Sequence, residues 1–262
     1  MKKSPPIPMP APADLKIGSD AWQQLIAEGA DRFNLSLHRG HTSLFAAHAQ
    51  ELMVWNRKMN LTAIRSPLNV AVKHYLDSLL PAAFINPGTS LLDVGSGAGF
   101  PGIPLKIIHP ALSVTLIDAS RKKVAFMNHV IRKLGLQDIR AHQVRIENLK
   151  GHGSIHQMFD GIICRAFSNL KTFVMCALPH LNPTGTLIAL KGREAGTELK
   201  LWAPLQRGKA PLKVTLPAGV QETLSVEIFK CALPYSNAIR QVIVVRRRIS
   251  PGPESLSPEN AN

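Results

Sequence analysis

The 262-residue chain has few of the features that mark secreted, membrane-bound or metal-bearing proteins. Its three cysteines, Cys164, Cys176 and Cys231, are too few and too scattered for a disulfide framework or a Cys-x-x-Cys metal site. No apolar run approaches the roughly 18 residues of a membrane span. The start, Met1-Lys2-Lys3, leads into prolines and not into the apolar segment of a secretory signal. We therefore expect a cytoplasmic protein with neither a metal nor a membrane partner.

Acidic residues are also scarce, since 17 Asp and Glu stand against 31 Lys and Arg, for a net charge of +14. Residues 14–88 hold 7 basic and 6 acidic residues, whereas residues 89–249 hold 22 and 9, a net +13. An excess concentrated in one region is typical of proteins that bind a polyanion, with nucleic acid ahead of an anionic membrane. A basic surface without a specific partner would give the same count, so this alternative stays open.

The composition divides the chain into four parts. Residues 1–13 contain five prolines and residues 250–262 are rich in Ser, Pro and Glu, so both are predicted to be disordered tails. Residues 14–88 repeat apolar side chains at helical spacing, which predicts a helical subdomain. In residues 89–249 strand patterns alternate with helix patterns. This order predicts an α/β domain with a mostly parallel sheet covered on both faces.

The predicted sheet has seven strands. Its last two strands follow each other without an intervening helix, so they should form a hairpin and give the sheet an antiparallel edge. The strand candidates are 90–94, 114–117, 138–144, 159–164, 185–190, 222–229 and 240–246, and helices are predicted at 120–135, 168–181 and 193–205.

The most specific motif lies where the first predicted strand ends. There the run Asp93-Val94-Gly95-Ser96-Gly97-Ala98-Gly99 passes from an apolar strand into a glycine turn, and Asp118 ends the next strand. Glycine permits a tight turn and a close approach of backbone to a ligand. An acidic side chain about 20 residues further on can accept hydrogen bonds from the hydroxyls of a ribose. Together they predict a nucleoside site at the carboxyl edge of the sheet.

Two nucleoside cofactors fit this turn. The run Gly97-Ala98-Gly99-Phe100-Pro101-Gly102 satisfies the G-x-G-x-x-G pattern of dinucleotide sites, which keeps a dehydrogenase as an alternative. Asp93 would repel a pyrophosphate, but it could help to hold the ammonium group of S-adenosylmethionine. No hydride-transfer residues are evident, so S-adenosylmethionine is the expected cofactor. A non-catalytic RNA-binding module is the second alternative.

The stretch from Asp93 to Leu105, with its Pro101-Gly102-Ile103-Pro104 extension, resembles the signature of the RsmG (GidB) family of bacterial 16S rRNA methyltransferases. The resemblance covers about residues 45–245 and implies a Rossmann-like class I methyltransferase fold. It also implies methylation of guanine N7 in the 16S rRNA of the small ribosomal subunit. The other matching pieces are Trp55-Asn56, Asn60-Leu61-Thr62, His74 with Leu76-Asp77-Ser78, Arg165-Ala166-Phe167 and Ala189-Leu190-Lys191-Gly192.

The resemblance also implies which residues meet the cofactor. Ile146 and Glu147 follow the third strand, where the adenine would lie. Arg165 ends the fourth strand, where it could hold the cofactor carboxylate or an RNA phosphate, with a structural ion pair as the alternative. The full set of expected cofactor contacts is Asp93, Gly95, Gly97, Gly99, Phe100, Asp118, Ile146, Glu147 and Arg165.

No catalytic residue is assigned, because guanine N7 already carries a lone pair and direct displacement needs no general base. The candidates for assisting roles are Arg165, Asn60, His74 and Asp77. His74 and Asp77 are three residues apart, so a partly buried hydrogen-bonded pair is expected on one helix face. The sequence is compatible with a monomer and does not determine the oligomeric state. The expected RNA contacts are Lys191, Arg193, Arg246, Arg247 and Arg248.

Overall fold

The computed structural model describes residues 15–153, 155, 158–165, 169–192, 212–215, 219 and 221–248. The two predicted tails, the predicted helix at 193–205 and Arg193 lie outside these residues. None of the helices that the structure describes is both long enough and apolar enough to cross a membrane.

The amino-terminal part is helical, as predicted. Helix α1, Asp20–Asp31, begins at Ser19, whose hydroxyl accepts a hydrogen bond from the Trp22 amide. Helix α2, Arg39–Met59, ends at Asn60 in the left-handed conformation. A continuous helical run follows, made of α3 (Pro67–Val70), the π-helix Ala71–Leu76, α4 (Asp77–Leu79) and the 3-10 turn Leu80–Phe84.

The second part is a single sheet with the strand order β3-β2-β1-β4-β5-β8-β7-β6. The first five strands in chain order are parallel, and β8, β7 and β6 add antiparallel pairs to the edge of β5. This order confirms the predicted α/β class with a mostly parallel, Rossmann-like sheet. The strands are β1 (Ser90–Val94), β2 (Ser113–Asp118), β3 (Ile139–Gln143), β4 (Phe159–Arg165), β5 (Leu181–Lys191), β6 (Leu212–Thr215), β7 (Gln221–Ala232) and β8 (Ile239–Arg247).

Within the residues that the structure describes, the sheet has eight strands, whereas the sequence predicts seven. The additional strand, β6, pairs antiparallel with β7 and takes the edge position, in a stretch where the sequence predicts no strand. Four residues are too few for their alternation to stand out from the background. The predicted hairpin is present as β7 and β8, and β8 lies between β5 and β7.

Helices cover both faces of the sheet, and the sheet separates the hydrophobic core into two clusters. Successive side chains of a strand point to opposite faces, so Leu91 belongs to one cluster and Leu92 to the other. The first cluster includes Trp22 and Tyr75 of the amino-terminal helices, so these helices share a core with the sheet. The expected boundary between residues 88 and 89 therefore stays a prediction. The helices of the sheet part are α5 (Gly102–Ile108), α6 (Arg121–Lys133) and α7 (Leu170–Ala177), with 3-10 turns at Ile146–Gly151 and Leu178–His180.

Three of the expected RNA contacts, Arg246, Arg247 and Arg248, lie far from the glycine turn. Arg246 of β8 lies opposite Thr186 of β5 in the antiparallel ladder. Thr186 is five residues before Lys191, the carboxyl end of β5, so Arg246 lies roughly 16 Å from that end. Arg246 also pairs with Glu227 at 2.6 Å. RNA contact by Arg246 or by the exposed Arg248 stays a prediction, at the edge of the sheet opposite the turn.

Arg247 has a structural role that its sequence context does not reveal. Its Nη1 donates to the carbonyls of Leu181 and Asn182 at 2.7 and 2.9 Å, and its Nη2 donates to that of Leu178 at 2.8 Å. Its Nε donates to the Glu222 carboxylate at 3.1 Å. The guanidinium thus ties β8 to the chain entering β5, which argues against the expected contact with RNA.

Replacing Arg247 by lysine should destabilise the fold, because an ammonium group cannot reproduce this planar set of donors. We expect Arg247→Lys to lower the free energy of unfolding by about 2–3 kcal/mol. The neighbouring Arg246→Lys changes a half-exposed ion pair and should cost at most about 1 kcal/mol. Urea denaturation of both variants measures the difference. Equal losses would contradict the structural role of Arg247.

Candidate functional site

The glycine turn between β1 and α5 is held by the end of β2. The amides of Gly95 and Ser96 donate to the Ile117 carbonyl at 2.8 and 3.0 Å, and the Gly97 amide donates to the Asp118 carboxylate at 3.0 Å. Because β1 and β2 are parallel neighbours, the turn and the acid lie side by side at the carboxyl edge of the sheet. The structure thus brings together the two features that defined the predicted nucleoside site.

Two glycines of the turn leave room for a ligand, and the third does not. Gly95 and Gly97 have left-handed φ angles of 70° and 60°, which favour glycine. A Cβ atom on Gly95 would meet nothing within 4 Å, so the space above it is open. A Cβ atom on Gly99 would lie 2.3 Å from the Cδ1 atom of Ile103. Gly99 therefore serves the packing of α5 against the turn.

Asp93 is fully buried beneath this turn and has an incomplete set of partners. Its Oδ2 accepts a hydrogen bond from the Gly102 amide at 2.9 Å, but its buried Oδ1 has no donor within the described part of the chain. Burial raises the pKa of Asp93 to about 7, although the Gly102 amide, the Ser96 hydroxyl and the Arg165 charge act in the opposite direction. The Ser96 hydroxyl itself donates to the backbone carbonyl of Asp93 at 2.9 Å, and not to Oδ1. A buried oxygen without a donor is costly. This atom fits a site that a ligand completes by donating a hydrogen bond.

The other expected cofactor contacts follow the neighbouring strands at the same edge. Asp118 is largely buried, and its Oδ1 accepts from the Ser120 amide at 2.8 Å while Lys123 lies 3.5 Å from its Oδ2. A ribose hydroxyl would donate to the same carboxylate that already accepts from the Gly97 amide of the turn. Beyond β3, Ile146 is buried and Glu147 is exposed at the start of a 3-10 turn. Glu147 is thus accessible to a ligand.

Arg165, at the end of β4, lies against the amino-terminal helices. Its guanidinium donates to the Lys73 carbonyl at 3.0 Å and to Nδ1 of His74 at 3.4 Å, and it lies 3.6 Å from the Asp77 carboxylate. It also lies 5.3 Å from the centre of the Phe100 ring. The structural ion pair that was considered for Arg165 is therefore present.

His74 is a buried neutral imidazole with both nitrogens engaged. Because arginine only donates, Nδ1 accepts from Arg165 and the proton resides on Nε2, which donates to the Thr62 hydroxyl at 3.0 Å. Burial lowers the pKa of His74 to about 3, and the Arg165 charge adds to the effect. The ring stacks on Phe100 with centroids 4.5 Å apart. His74 therefore holds Arg165 and the turn in place and has no nitrogen left for a substrate.

The predicted hydrogen-bonded pair of His74 and Asp77 is wrong. The carboxylate of Asp77 accepts from Nε of Arg240 at 2.8 Å and faces Arg165, so both residues bond to arginines and not to each other. Asn60 is exposed, and its φ angle of 49° ends α2. No hydrogen bond among the described residues joins Asn60 to this cluster. Lys191, the last residue of β5, is buried and not displayed on the surface.

Two residues of α2 position the site in ways that the sequence interpretation missed. His48 is buried, and its Nε2 donates to the Ala98 carbonyl inside the glycine turn at 3.0 Å. Its ring stacks on Phe100 with centroids 4.8 Å apart. Asn56 binds both the amide and the carbonyl of Thr62 at 2.9 Å. A histidine among apolar residues on one helix face is the signal that marks His48 as a buried, hydrogen-bonded side chain.

A cavity of about 250 Å³ opens beside this cluster, at the carboxyl ends of β4 and β5. Its described lining includes four basic residues and one acidic residue. No set of three or more metal-ligating side chains occurs among the residues that the structure describes. The cavity is lined by Ile64, Lys73, Asp77, Arg165, Leu190, Lys191, Gly192 and Arg240.

Comparison with known proteins gives consistent matches. A family model described as rRNA small subunit methyltransferase G matches residues 41–206. A protein named Ribosomal RNA small subunit methyltransferase G from Geobacter metallireducens is 39% identical over 86% of this chain and 96% of its own length. A protein of the same name from Geotalea uraniireducens is 45% identical over 67% and 79%. A solved SAM dependent methyltransferase from Aquifex aeolicus is 16% identical, with a TM-score of 0.46 over 71% of this chain and 96% of that one.

The open space above Gly95 can be tested with a matched pair of glycine variants. Gly88 also has a left-handed φ angle, 80°, and open space around its Cβ position, but it precedes β1 at the opposite edge of the sheet. Gly95→Ala and Gly88→Ala should therefore cost similar stability, about 1–2 kcal/mol each. Only Gly95→Ala should weaken S-adenosylmethionine binding in calorimetry, by about tenfold or more. Equal affinity of the two variants would show that the ligand does not lie over Gly95.

The burial of His48 predicts a pH dependence of stability. Burial lowers the pKa of His48 to about 4, from 6.5 in the unfolded chain. Between these values the unfolded state binds a proton that the folded state does not, so the free energy of unfolding falls as the pH falls. His48→Gln keeps a donor for Ala98 and does not titrate.

Urea denaturation of the wild-type protein and the His48→Gln variant at several pH values between 6.5 and 4 measures this effect. The slope of the wild-type free energy against pH should exceed that of the variant by about 1.4 kcal/mol per pH unit. The other titrating groups are common to both proteins and cancel in the difference. Parallel curves would mean that His48 is not held in the neutral form.

Proposed function

The chain belongs to the rRNA small subunit methyltransferase G family, and from this membership we propose that it transfers a methyl group from S-adenosylmethionine to N7 of a guanine in 16S rRNA. The membership confirms the resemblance that the stretch from Asp93 to Leu105 indicates. The observation that best supports the cofactor is the buried Oδ1 of Asp93, which has no donor among the described residues.

The residues at the carboxyl edge suit the parts of this cofactor, which when bound supplies an electrophilic methyl group. Asp93 would accept a hydrogen bond from its ammonium group, and the turn at Gly95 and Gly97 would lie against it. Asp118 would meet the ribose, and Ile146 and Glu147 would meet the adenine through a backbone amide and a carboxylate. Phe100 is 2% exposed, so we propose that it contributes through its backbone, with its ring packed beneath the site.

The acceptor atom explains why the site needs no general base. Guanine N7 has a lone pair in the plane of the ring and nothing to deprotonate. The two imidazoles next to the turn, His48 and His74, are neutral and hydrogen-bonded to the protein. We propose that the protein accelerates the reaction by holding the base in line with the methyl group and by excluding water.

The two parts of the chain would then have different roles in binding. Residues 89–249 would bind the cofactor, and residues 14–88 would close one side of the pocket through His48, His74 and Asp77. The substrate would be 16S rRNA or the small ribosomal subunit, which places the protein in the cytoplasm.

Mass spectrometry of nucleosides from 16S rRNA tests this function. A strain without the gene should lack one 7-methylguanosine, and a plasmid copy of the wild-type chain should restore it. Gly95→Arg should not restore it, because the side chain would fill the open space above the turn, whereas Gly88→Ala should. Undiminished 7-methylguanosine in the deletion strain would overturn the proposal.

A further inference from the structure

We propose that Thr62 is a positioning residue for the cofactor site: its hydroxyl accepts the Nε2 proton of His74, which leaves the Nδ1 lone pair to orient Arg165. This inference rests on the function proposed above, and it adds a residue that the expected set of cofactor contacts does not include. Thr62 lies in the connection between α2 and α3, outside the strands and the glycine turn.

Two neutral acceptors from consecutive residues hold the guanidinium of Arg165. Its Nη1 donates to the Lys73 carbonyl at 3.0 Å, and its Nη2 donates to Nδ1 of His74 at 3.4 Å. Both acceptors belong to the π-helix Ala71–Leu76, a conformation that is frequent at functional sites. Because neither acceptor carries a charge, these contacts orient Arg165 without neutralising it.

The carboxylate that faces the same guanidinium has its own hydrogen bond elsewhere. Asp77 lies 3.6 Å from Arg165, but it accepts from Nε of Arg240 at 2.8 Å. The charge of Arg165 also acts on Asp93 beneath the glycine turn, where it opposes the rise of the pKa that burial causes. The direction of the Arg165 guanidinium, set by its two neutral acceptors, is therefore a property of the proposed cofactor site.

The acceptor at Nδ1 exists in only one form of the imidazole. A neutral histidine carries a proton on one ring nitrogen and a lone pair on the other. With the proton on Nδ1, an N–H group of His74 would face an N–H group of Arg165. With both nitrogens protonated, a second positive charge would lie beside the guanidinium. Nε2 must therefore carry the proton, and the Thr62 hydroxyl, 3.0 Å away, is its acceptor.

The connection between α2 and α3 keeps the Thr62 hydroxyl at this position. Asn56, buried near the end of α2, accepts from the Thr62 amide and donates to the Thr62 carbonyl, both at 2.9 Å. The Ile64 amide donates to the Thr62 hydroxyl at 3.0 Å and uses one of its two lone pairs, so the other accepts from His74. A chain of hydrogen bonds thus runs from α2 through Thr62 and His74 to Arg165.

A role in stability alone would use the same hydrogen bonds, but it predicts no effect on the proton of His74 or on the cofactor. Thr62→Val removes the acceptor of Nε2 at similar side-chain size, and Thr62→Ser keeps the hydroxyl. Thr186→Val is the matched control. The half-buried Thr186 also accepts from a side chain, Nε of Arg246 at 3.3 Å, but it lies five residues before the carboxyl end of β5.

Two measurements on the full chain separate the roles. Nitrogen-15 NMR of the imidazoles, with His74 assigned by comparison with His74→Gln, reports which ring nitrogen carries the proton before any cofactor is added. Calorimetry of the wild type and of the three threonine variants measures the affinity for S-adenosylmethionine.

The wild type and Thr62→Ser should show a single form of His74, protonated on Nε2. Thr62→Val should lose this single form and bind S-adenosylmethionine about threefold to tenfold more weakly, because the direction of one charged donor group is no longer fixed. Thr186→Val should match the wild type in both measurements.

A wild-type His74 protonated on Nδ1 would overturn the proposal, and this result needs no variant to fold. An unchanged His74 in Thr62→Val would also overturn it, as would equal cofactor affinities of Thr62→Val and Thr186→Val. A Thr62→Ser variant as weak as Thr62→Val would show that the hydroxyl is not the group that matters. If the wild type does not bind S-adenosylmethionine, the proposed function is contradicted, while the NMR comparison still decides whether Thr62 fixes the proton of His74.

Discussion

The stacking of two buried imidazoles on Phe100 is the contact on which the site depends. His48 comes from α2 and His74 from the π-helix, and both rings pack on a phenyl group that lies one residue after Gly99. Each imidazole makes a second contact, His48 with the Ala98 carbonyl and His74 with Arg165. The glycine turn is therefore shaped from both sides, by β2 through hydrogen bonds and by the amino-terminal helices through ring packing. Neutral imidazoles are required, because a charge at either position would be buried without a counter-ion.

Local sequence was sufficient to predict the glycine turn, Asp118 and the parallel order of the first strands. These features depend on neighbours in the chain, on the φ angles that glycine allows and on the rule that parallel strands share an edge. The additional strand β6 could not be predicted, since it has four residues and is defined by its pairing with β7.

Side-chain partners were harder to predict because they come from distant segments. His74 and Asp77 are three residues apart, but the helix around His74 is a π-helix, whose wider turn changes the spacing of side chains on a face. Arginines from β4 and β8 then provide the hydrogen bonds and charges for both residues. Arg247 likewise reaches carbonyl groups as far as 69 residues away along the chain. A count of basic residues cannot distinguish such an arginine, bound to backbone carbonyls, from Arg240, whose Nε donates to Asp77.

The core shared between the amino-terminal helices and one face of the sheet has a consequence for the architecture of the enzyme. Trp22, Phe45 and Tyr75 lie in the same cluster as Leu91, Leu116 and Ile163 of the central strands. Truncation before residue 89 would uncover a broad apolar sheet surface in water and remove the ring packing beneath the turn at the same time. We therefore expect the amino-terminal helices and the glycine turn to fold in one cooperative step, because neither side of the shared core is covered without the other.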